Sequence, residues 1–404
     1  MPKALTPEVG CTLRSTSHNL SLLPGLGEVT AEWRMGSWSN SIAAENGGDR
    51  AEVDPFNILV VPFPYRLNAN AFQCVRKPDG MDVDGYFAVK ATWLQGKTAV
   101  EQAKLVAAFI HDLVQAAQED GGSVSAVVLP ETALPSEVTE KAAKQLARKH
   151  PLLEMFICGV MAPPPKRGRG TERPFPRNAA FVARFANGRA VDDYQQAKHH
   201  RWRLDPSQVQ RYGLAHVIEG GRSWWEAIDL ADRRMVFGLD ARQAVVAALI
   251  CEDLARYDPV LPVLTAVGPN LVIALLMDGP QLRSRWPSRH ATVLADDPGS
   301  AVLTLTSLGM VRRSEAPPGA TPRDCVALWS ERGQSPRELD LAPGSHAMLL
   351  SLSAHKKQQR TLDIRRQRDS GGLIEYRLAG SRSVRLCDSD RHKWLFTPPA
   401  IAHD

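Results

Sequence analysis

From Phe56 onward the sequence is punctuated by apolar runs of five to eight residues: Phe56–Phe63, Ser125–Leu129, Phe156–Val160, Ala244–Ile250, Leu271–Leu276 and Ala301–Ser307. Such runs are too short to cross a membrane, which takes ~18–20 residues, and too short for an ordinary buried helix. Their length suits strands buried on both faces. Between the first two lies Thr98–Gln118, where Val106, Phe109, Ile110, Leu113, Val114 and Ala117 recur at helical spacing. Thr98 and Glu101 form a capping box at its start, and Gly121-Gly122 ends it. Ser136–His150 is a second helix, stopped by Pro151. Alternation of such units predicts an α/β fold built in layers.

Other segments fill in the order. Ala179–Phe185 and Ala190–Lys198 flank Asn187-Gly188, a hairpin signal. Trp224–Leu230 and Arg234–Leu239 are expected to form a second strand pair. Asp253–Tyr257 and Arg289–Asp296 are expected to be helical, and Ala162–Pro176, rich in proline, glycine and basic residues, to be a loop. Residues 1–53 are rich in Ser, Gly and Asn and read as a partly ordered extension. Residues 54–390 make one domain, and 391–404 a tail. No repeat of fixed period is present.

Composition removes several classes. The chain has 404 residues, 44% hydrophobic and 23% charged, which is ordinary for a globular protein and excludes disorder throughout. Its six cysteines are dispersed with no CxxC pair, which argues against a zinc ribbon or a thioredoxin motif. Free thiols, the lack of an apolar leader and the lack of a long apolar stretch predict a cytoplasmic protein off the membrane. A net charge of +5 is mildly basic. The segment His355–Asp369 holds six Lys/Arg and reads as a solvated edge strand, with nucleic-acid contact as the lesser alternative.

Three residues stand where predicted strands end, the place where a layered fold assembles sites. Glu131 follows SAVVLP; partial desolvation there raises a carboxyl pKa toward the range of a general base. Lys198, in YQQAKHHRW, offers a fixed positive charge. Cys251, in AALICEDLAR, sits between a strand and a predicted helix, whose N-terminus would lower the thiol pKa and aim the Glu252 N–H at an oxyanion. Glu252 and Asp253 oppose that lowering. Each residue alone also fits a bland role: a solvated loop glutamate, a surface lysine, an inert core cysteine. Together they supply the nucleophile, base and cation that thiol catalysis needs. His111, His199, His200 and His290 are rival bases. His199-His200 does not make a metal site, because neighbouring side chains on a strand diverge. No metal or cofactor is expected.

These motifs resemble the nitrilase superfamily of carbon–nitrogen hydrolases over most of residues 55–312. LPETAL resembles the family's base motif, YQQAKHHRW its lysine motif and LICEDLAR its nucleophile motif. The resemblance implies an αββα sandwich paired into an αββα-αββα dimer, and a homo-oligomer. It implies Glu131 as general base, Lys198 as oxyanion stabiliser and Cys251 as the nucleophile that forms a thioester with an amide or nitrile carbon. Glu252 after the nucleophile favours amides. Many members carry a second glutamate soon after the lysine; here Asp205 comes first and no glutamate precedes Glu219. That departure supports an alternative, a catalytically weak or silent scaffold subunit. KHHRWRLDPSQVQRYGL also resembles nitrilase-like domains associated with bacterial defence reverse transcriptases, which implies a polymerase partner docked through residues 1–53. Met277, Asp278 and Arg283 follow the strand next to the cysteine strand and are candidates for the substrate pocket, Asp278 toward an amine and Arg283 toward a carboxylate.

Overall fold

A computed structural model describes residues 30–34, 52–77, 84–119, 122–163, 175–257, 259–314, 322–357, 373–386 and 390–396. Two seven-stranded sheets form its centre. The first runs, edge to edge, through Thr30–Arg34, Arg234–Leu239, Val245–Ile250, Leu271–Leu276, Ala301–Thr306, Cys325–Ser330 and Arg337–Asp340. The second runs through Leu373–Val384, Ala347–Lys357, Glu52–Val60, Ala126–Pro135, Met155–Ala162, Arg177–Ala186 and Arg189–Ala197. The central strands of each pair in parallel. Parallel neighbours need crossover connections, and the helices Ala99–Glu119, Ser136–Lys149, Val260–Val267 and Trp286–Asp296 lie in those connections.

Alternation along the strands decides which layer meets which. Ala247, Leu249, Val272 and Ala274 share a core with Val260, Leu264, Ala291 and Leu294 of the outer helices. Val246, Ala248, Ile250, Ile273 and Leu275, one residue out of step, join the larger core that contains the second sheet. On that sheet's far side Ala99–Glu119 packs against Ser136–Lys149. The layers are thus helix, sheet, sheet, helix. The first long helix begins at its expected cap: Thr98 Oγ1 accepts from the Glu101 N–H at 3.2 Å, and Glu101 Oε2 accepts from the Thr98 N–H at 3.4 Å.

The expected pairing of Trp224–Leu230 with Arg234–Leu239 does not occur. Trp224–Glu226 belongs to a separate four-stranded sheet, between Gly85–Val89 and Arg203–Leu204. Trp224 is fully buried and lies flat on Gly85, where any Cβ would meet its ring at 2.4 Å. Arg234–Leu239 instead joins the first sheet beside Thr30–Arg34. Apolar content sets which residues are strands, but partners are chosen by the surfaces they bury.

The extension and the tail both contribute. Thr30–Arg34 adds a parallel edge strand, with Trp33 against Phe237 at 5.5 Å between centroids. Trp394 packs edge-on to Phe63 and Phe109. Residues 164–174, 358–369 and 397–404 lie outside the described residues, as do 1–29 and 35–51. They include most of the expected loop and most of the basic segment. Among the described residues no helix is long and apolar enough to cross a membrane.

Leu275 is wholly buried between the sheets. Leu275→Ala should cost ~2–5 kcal/mol in urea unfolding. A loss below ~1 kcal/mol would show that the facing layers do not pack tightly there.

Candidate active site

Glu131 is set by an interruption in its strand. Leu129 pairs with Cys158 and Leu134 with Val160, so residues 130–133 bulge opposite Gly159 alone. A Cβ on Gly159 would lie 2.4 Å from both Glu131 Cα and Pro130 O. Only glycine leaves room for the bulge. Thr132 within it is left-handed, with φ +53°, a costly conformation for a β-branched residue. Its Oγ1 reaches Met277 Sδ at 3.4 Å, which joins the bulge to the first sheet.

Lys198 follows the second strand of the predicted hairpin, and its N–H donates to Asn178 O at 2.8 Å. The side chain has no exposed area. Its Nζ donates to Glu131 Oε1 at 2.8 Å and to Glu226 Oε2 at 2.7 Å. Asn178 Nδ2 donates to Glu131 Oε1 and to Glu226 Oε1, both at 2.7 Å. The four side chains close a ring. Burial works to lower the Lys198 pKa, but Glu131, Glu226 and Cys251 overturn it and hold the ammonium well above the ordinary lysine range.

Glu226 corrects the sequence reading. A glutamate does reach Lys198: it arrives from the four-stranded sheet, 28 residues after the lysine, and not from the loop that follows it. Asp205 has another task, capping the helix Pro206–Arg211. Glu226 was discernible as a lone carboxylate within the apolar stretch Trp224–Ile228, and Asn178 as a lone amide opening an apolar strand.

Cys251 lies just past Val245–Ile250 and opens a 3-10 helix, Cys251–Ala255, which begins and ends two residues before the expected Asp253–Tyr257. Its φ of +43° is left-handed, so the thiol sits on a strained turn from strand to helix. A five-residue helix supplies little dipole, and the thiol pKa is not lowered. Burial raises it well above the ordinary range; Glu131, Glu252 and Asp278 act in the same direction, and Lys198 opposes them. The resting group is a thiol. Asp253, two residues on, ties this turn to the lysine: it accepts from the His199 N–H at 2.9 Å and lies 2.9 Å from His200 Nδ1.

Burial is also the largest influence on Glu131 and raises its pKa, with Glu226 adding to it and Lys198 and Asn178 opposing. One of its oxygens, Oε1, is fastened by two donors. The other, Oε2, is buried without a hydrogen-bond partner.

The remaining candidates divide. Glu252 turns its carboxylate to Arg256 at 2.8 Å, while its N–H stands in the first helical turn, where amides lack an intrahelical acceptor. Met277 and Asp278 are buried, Met277 against Thr132 of the glutamate bulge. Arg283 is exposed, and its backbone N–H bonds Glu338 at 2.8 Å. Arg285, not Arg283, faces Asp278, at 2.5 Å. Of the rival bases, His111 lies 2.9 Å from His150, His200 is taken by Asp253, and His290 packs edge-on to Trp286. A cavity of about 180 Å³ is lined by Arg34, Arg177, Tyr194, Asp232 and Arg234, and by none of Glu131, Lys198 and Cys251.

No protein-family model matches the sequence, and no curated protein does. Among solved structures the chain is similar to Saccharomyces cerevisiae Nit3, a member of branch 10 of the nitrilase superfamily, at TM-score 0.41 and 12% identity, over 75% of this chain and 92% of that one. It is similar to a carbon-nitrogen hydrolase from Helicobacter pylori G27 at TM-score 0.33 and 13% identity, over 63% and 73%. It is also similar to the C. elegans NitFhit protein at TM-score 0.33 and 12% identity, over 78% and 82%.

Gly159→Ala should displace the bulge, because the atoms it meets are backbone. The expected result is a melting temperature several degrees lower, on the order of a 1–3 kcal/mol overpacking loss. An unchanged melting temperature would mean that the bulge has slack.

Proposed function

We propose that this chain is a cysteine-dependent carbon–nitrogen hydrolase that cleaves an amide through a thioester. The observation that carries the proposal is the buried ring of Glu131, Lys198, Glu226 and Asn178, which leaves one carboxylate oxygen of Glu131 without a partner. A base needs such an oxygen, held but unoccupied.

The Cys251 thiol gives its proton to Glu131 Oε2 as Sγ attacks the amide carbon. Lysine has three N–H donors, and the two carboxylates engage two of them. The third N–H, with the Glu252 amide, meets the oxyanion of the tetrahedral adduct. When the adduct collapses, the C–N bond breaks, and the proton held by Glu131 leaves with the amine. Water then attacks the thioester and gives a proton to Glu131. The second adduct expels Sγ, which recovers that proton, and the acid departs. Each half-reaction passes one proton through one oxygen, so the thiol need not ionise beforehand. The silent-scaffold alternative draws on an absent second glutamate and on the N-terminal extension; Glu226 against Lys198 weighs against the first of these.

Cys251→Ala should abolish ammonia release from a panel of primary amides while the melting temperature stays near that of the wild type. Full activity in that variant would refute the mechanism. The acid limb of kcat/KM should lie above the ordinary glutamate value of 4.5, because Glu131 must be ionised and its pKa is raised. Glu226→Gln removes one of the charges that raise it, so the limb should move to lower pH. Movement to higher pH, or none, would show that the limb belongs to another group.

A further inference from the structure

Asp278 is held more completely than a pocket wall requires. Its Oδ1 accepts from Tyr212 Oη at 3.0 Å, from Arg285 Nη2 at 2.5 Å and from the Gly279 N–H at 2.8 Å. Its backbone is fastened on both sides by Thr306 Oγ1, which accepts from the Asp278 N–H at 3.2 Å and donates to its carbonyl at 2.6 Å. The second oxygen, Oδ2, is buried and has no hydrogen-bond partner. A buried carboxylate oxygen left unpaired is costly, so it persists where something else can donate to it.

The position says what that is. Ile250 pairs with Leu275, so Cys251 is level with Leu276, and Asp278 follows two residues later at the same end of the sheet. Met277 between them touches Thr132 of the glutamate bulge. Asp278 therefore lies at the same end of the sheet as Cys251, near enough for its charge to act on the thiol. The free oxygen itself supplies the sign: a carboxylate oxygen accepts from a donor such as an ammonium and repels a second carboxylate.

Resting on the amide-hydrolase reading, we propose that Asp278 Oδ2 is a specificity subsite for an ammonium group on the substrate, and that the natural substrates are amino-substituted amides. Tyr212 and Arg285 position the carboxylate and do not touch the reacting atoms. The scissile amide occupies Cys251, and the amine is anchored at Asp278 and leaves unchanged.

Binding can be measured without turnover in the Cys251→Ala protein, by calorimetry with three matched series of linear primary amides. One series ends in an ammonium, one in a methyl group and one in a carboxylate, each at several chain lengths. The best ammonium amide should bind about tenfold or more tighter than its methyl counterpart, and the carboxylate series weakest. Adding Asp278→Asn should erase the preference for ammonium while the methyl series changes less than about threefold. Equal binding of all three series, a preference for the carboxylate, or no binding at all would overturn the subsite. If Asp278→Asn fails to fold, the ranking in the Cys251→Ala protein decides alone. Turnover by the unaltered protein separates the two claims. Methyl amides cleaved as well as ammonium amides sink the subsite and spare the hydrolase; ammonium amides bound tightly but never cleaved do the reverse.

Discussion

The site depends on one buried cation. An ammonium with no exposed surface would cost several kcal/mol if left alone, and losing one partner of a buried pair costs ~3–5 kcal/mol. Lys198 is accommodated because two carboxylates converge on it and an amide holds both of them, the three arriving from a strand bulge, a separate small sheet and the start of a neighbouring strand. Each must be in register for the charge to be tolerated. Gly159 makes the bulge sterically feasible, the hairpin brings Asn178 level with Lys198, and Trp224 lying on Gly85 fastens the strand that ends in Glu226. The packing of three sheets is thereby read out as the position of one nitrogen.

That arrangement also decides the protonation states at rest. A lysine between two carboxylates stays charged, and a thiol buried near three carboxylates stays neutral. The site therefore does not work by storing a thiolate, as a cysteine at a long helix N-terminus would. On the proposed mechanism, Glu131 instead offers an acceptor oxygen to a neutral nucleophile, so that proton transfer and attack proceed together. Two strained residues, Thr132 and Cys251, stand on opposite sheets at this point, and their left-handed backbone turns each reactive group out of its strand.

Much of this was legible in the sequence, and what was not has a physical reason. The strands leading to Glu131 and Cys251 declare themselves as short apolar runs with a polar residue at the end, and the strand before Lys198 as the return of the Asn187-Gly188 hairpin. The capping box at Thr98 is local and is found where expected. What pairs with what is not local. Trp224–Glu226 looks like the partner of Arg234–Leu239 by proximity alone, yet each buries a different surface. The same non-locality hides Glu226: sequence distance from the lysine says nothing about which sheet will present a carboxylate to it. The helix expected over Asp253–Tyr257 is instead a 3-10 turn over Cys251–Ala255, because composition does not distinguish so short a helix or fix its ends. Arg283 and Arg285 are both near Asp278 in sequence, and only the path of the turn decides which one reaches it.

The central claim is that Glu131 activates Cys251 through direct proton transfer within a closed site. The most direct test is the rate at which chloroacetamide, an amide-sized electrophile, alkylates each cysteine of the folded protein across pH 5 to 9, resolved by mass spectrometry. Cys74 is exposed and serves as the internal standard. The account predicts that Cys251 reacts despite its burial, that its rate follows the ionisation of a carboxyl group, and that Glu131→Gln suppresses it without altering Cys74. Reaction of Cys251 with the pH profile of an ordinary thiol, unchanged in Glu131→Gln, would contradict it.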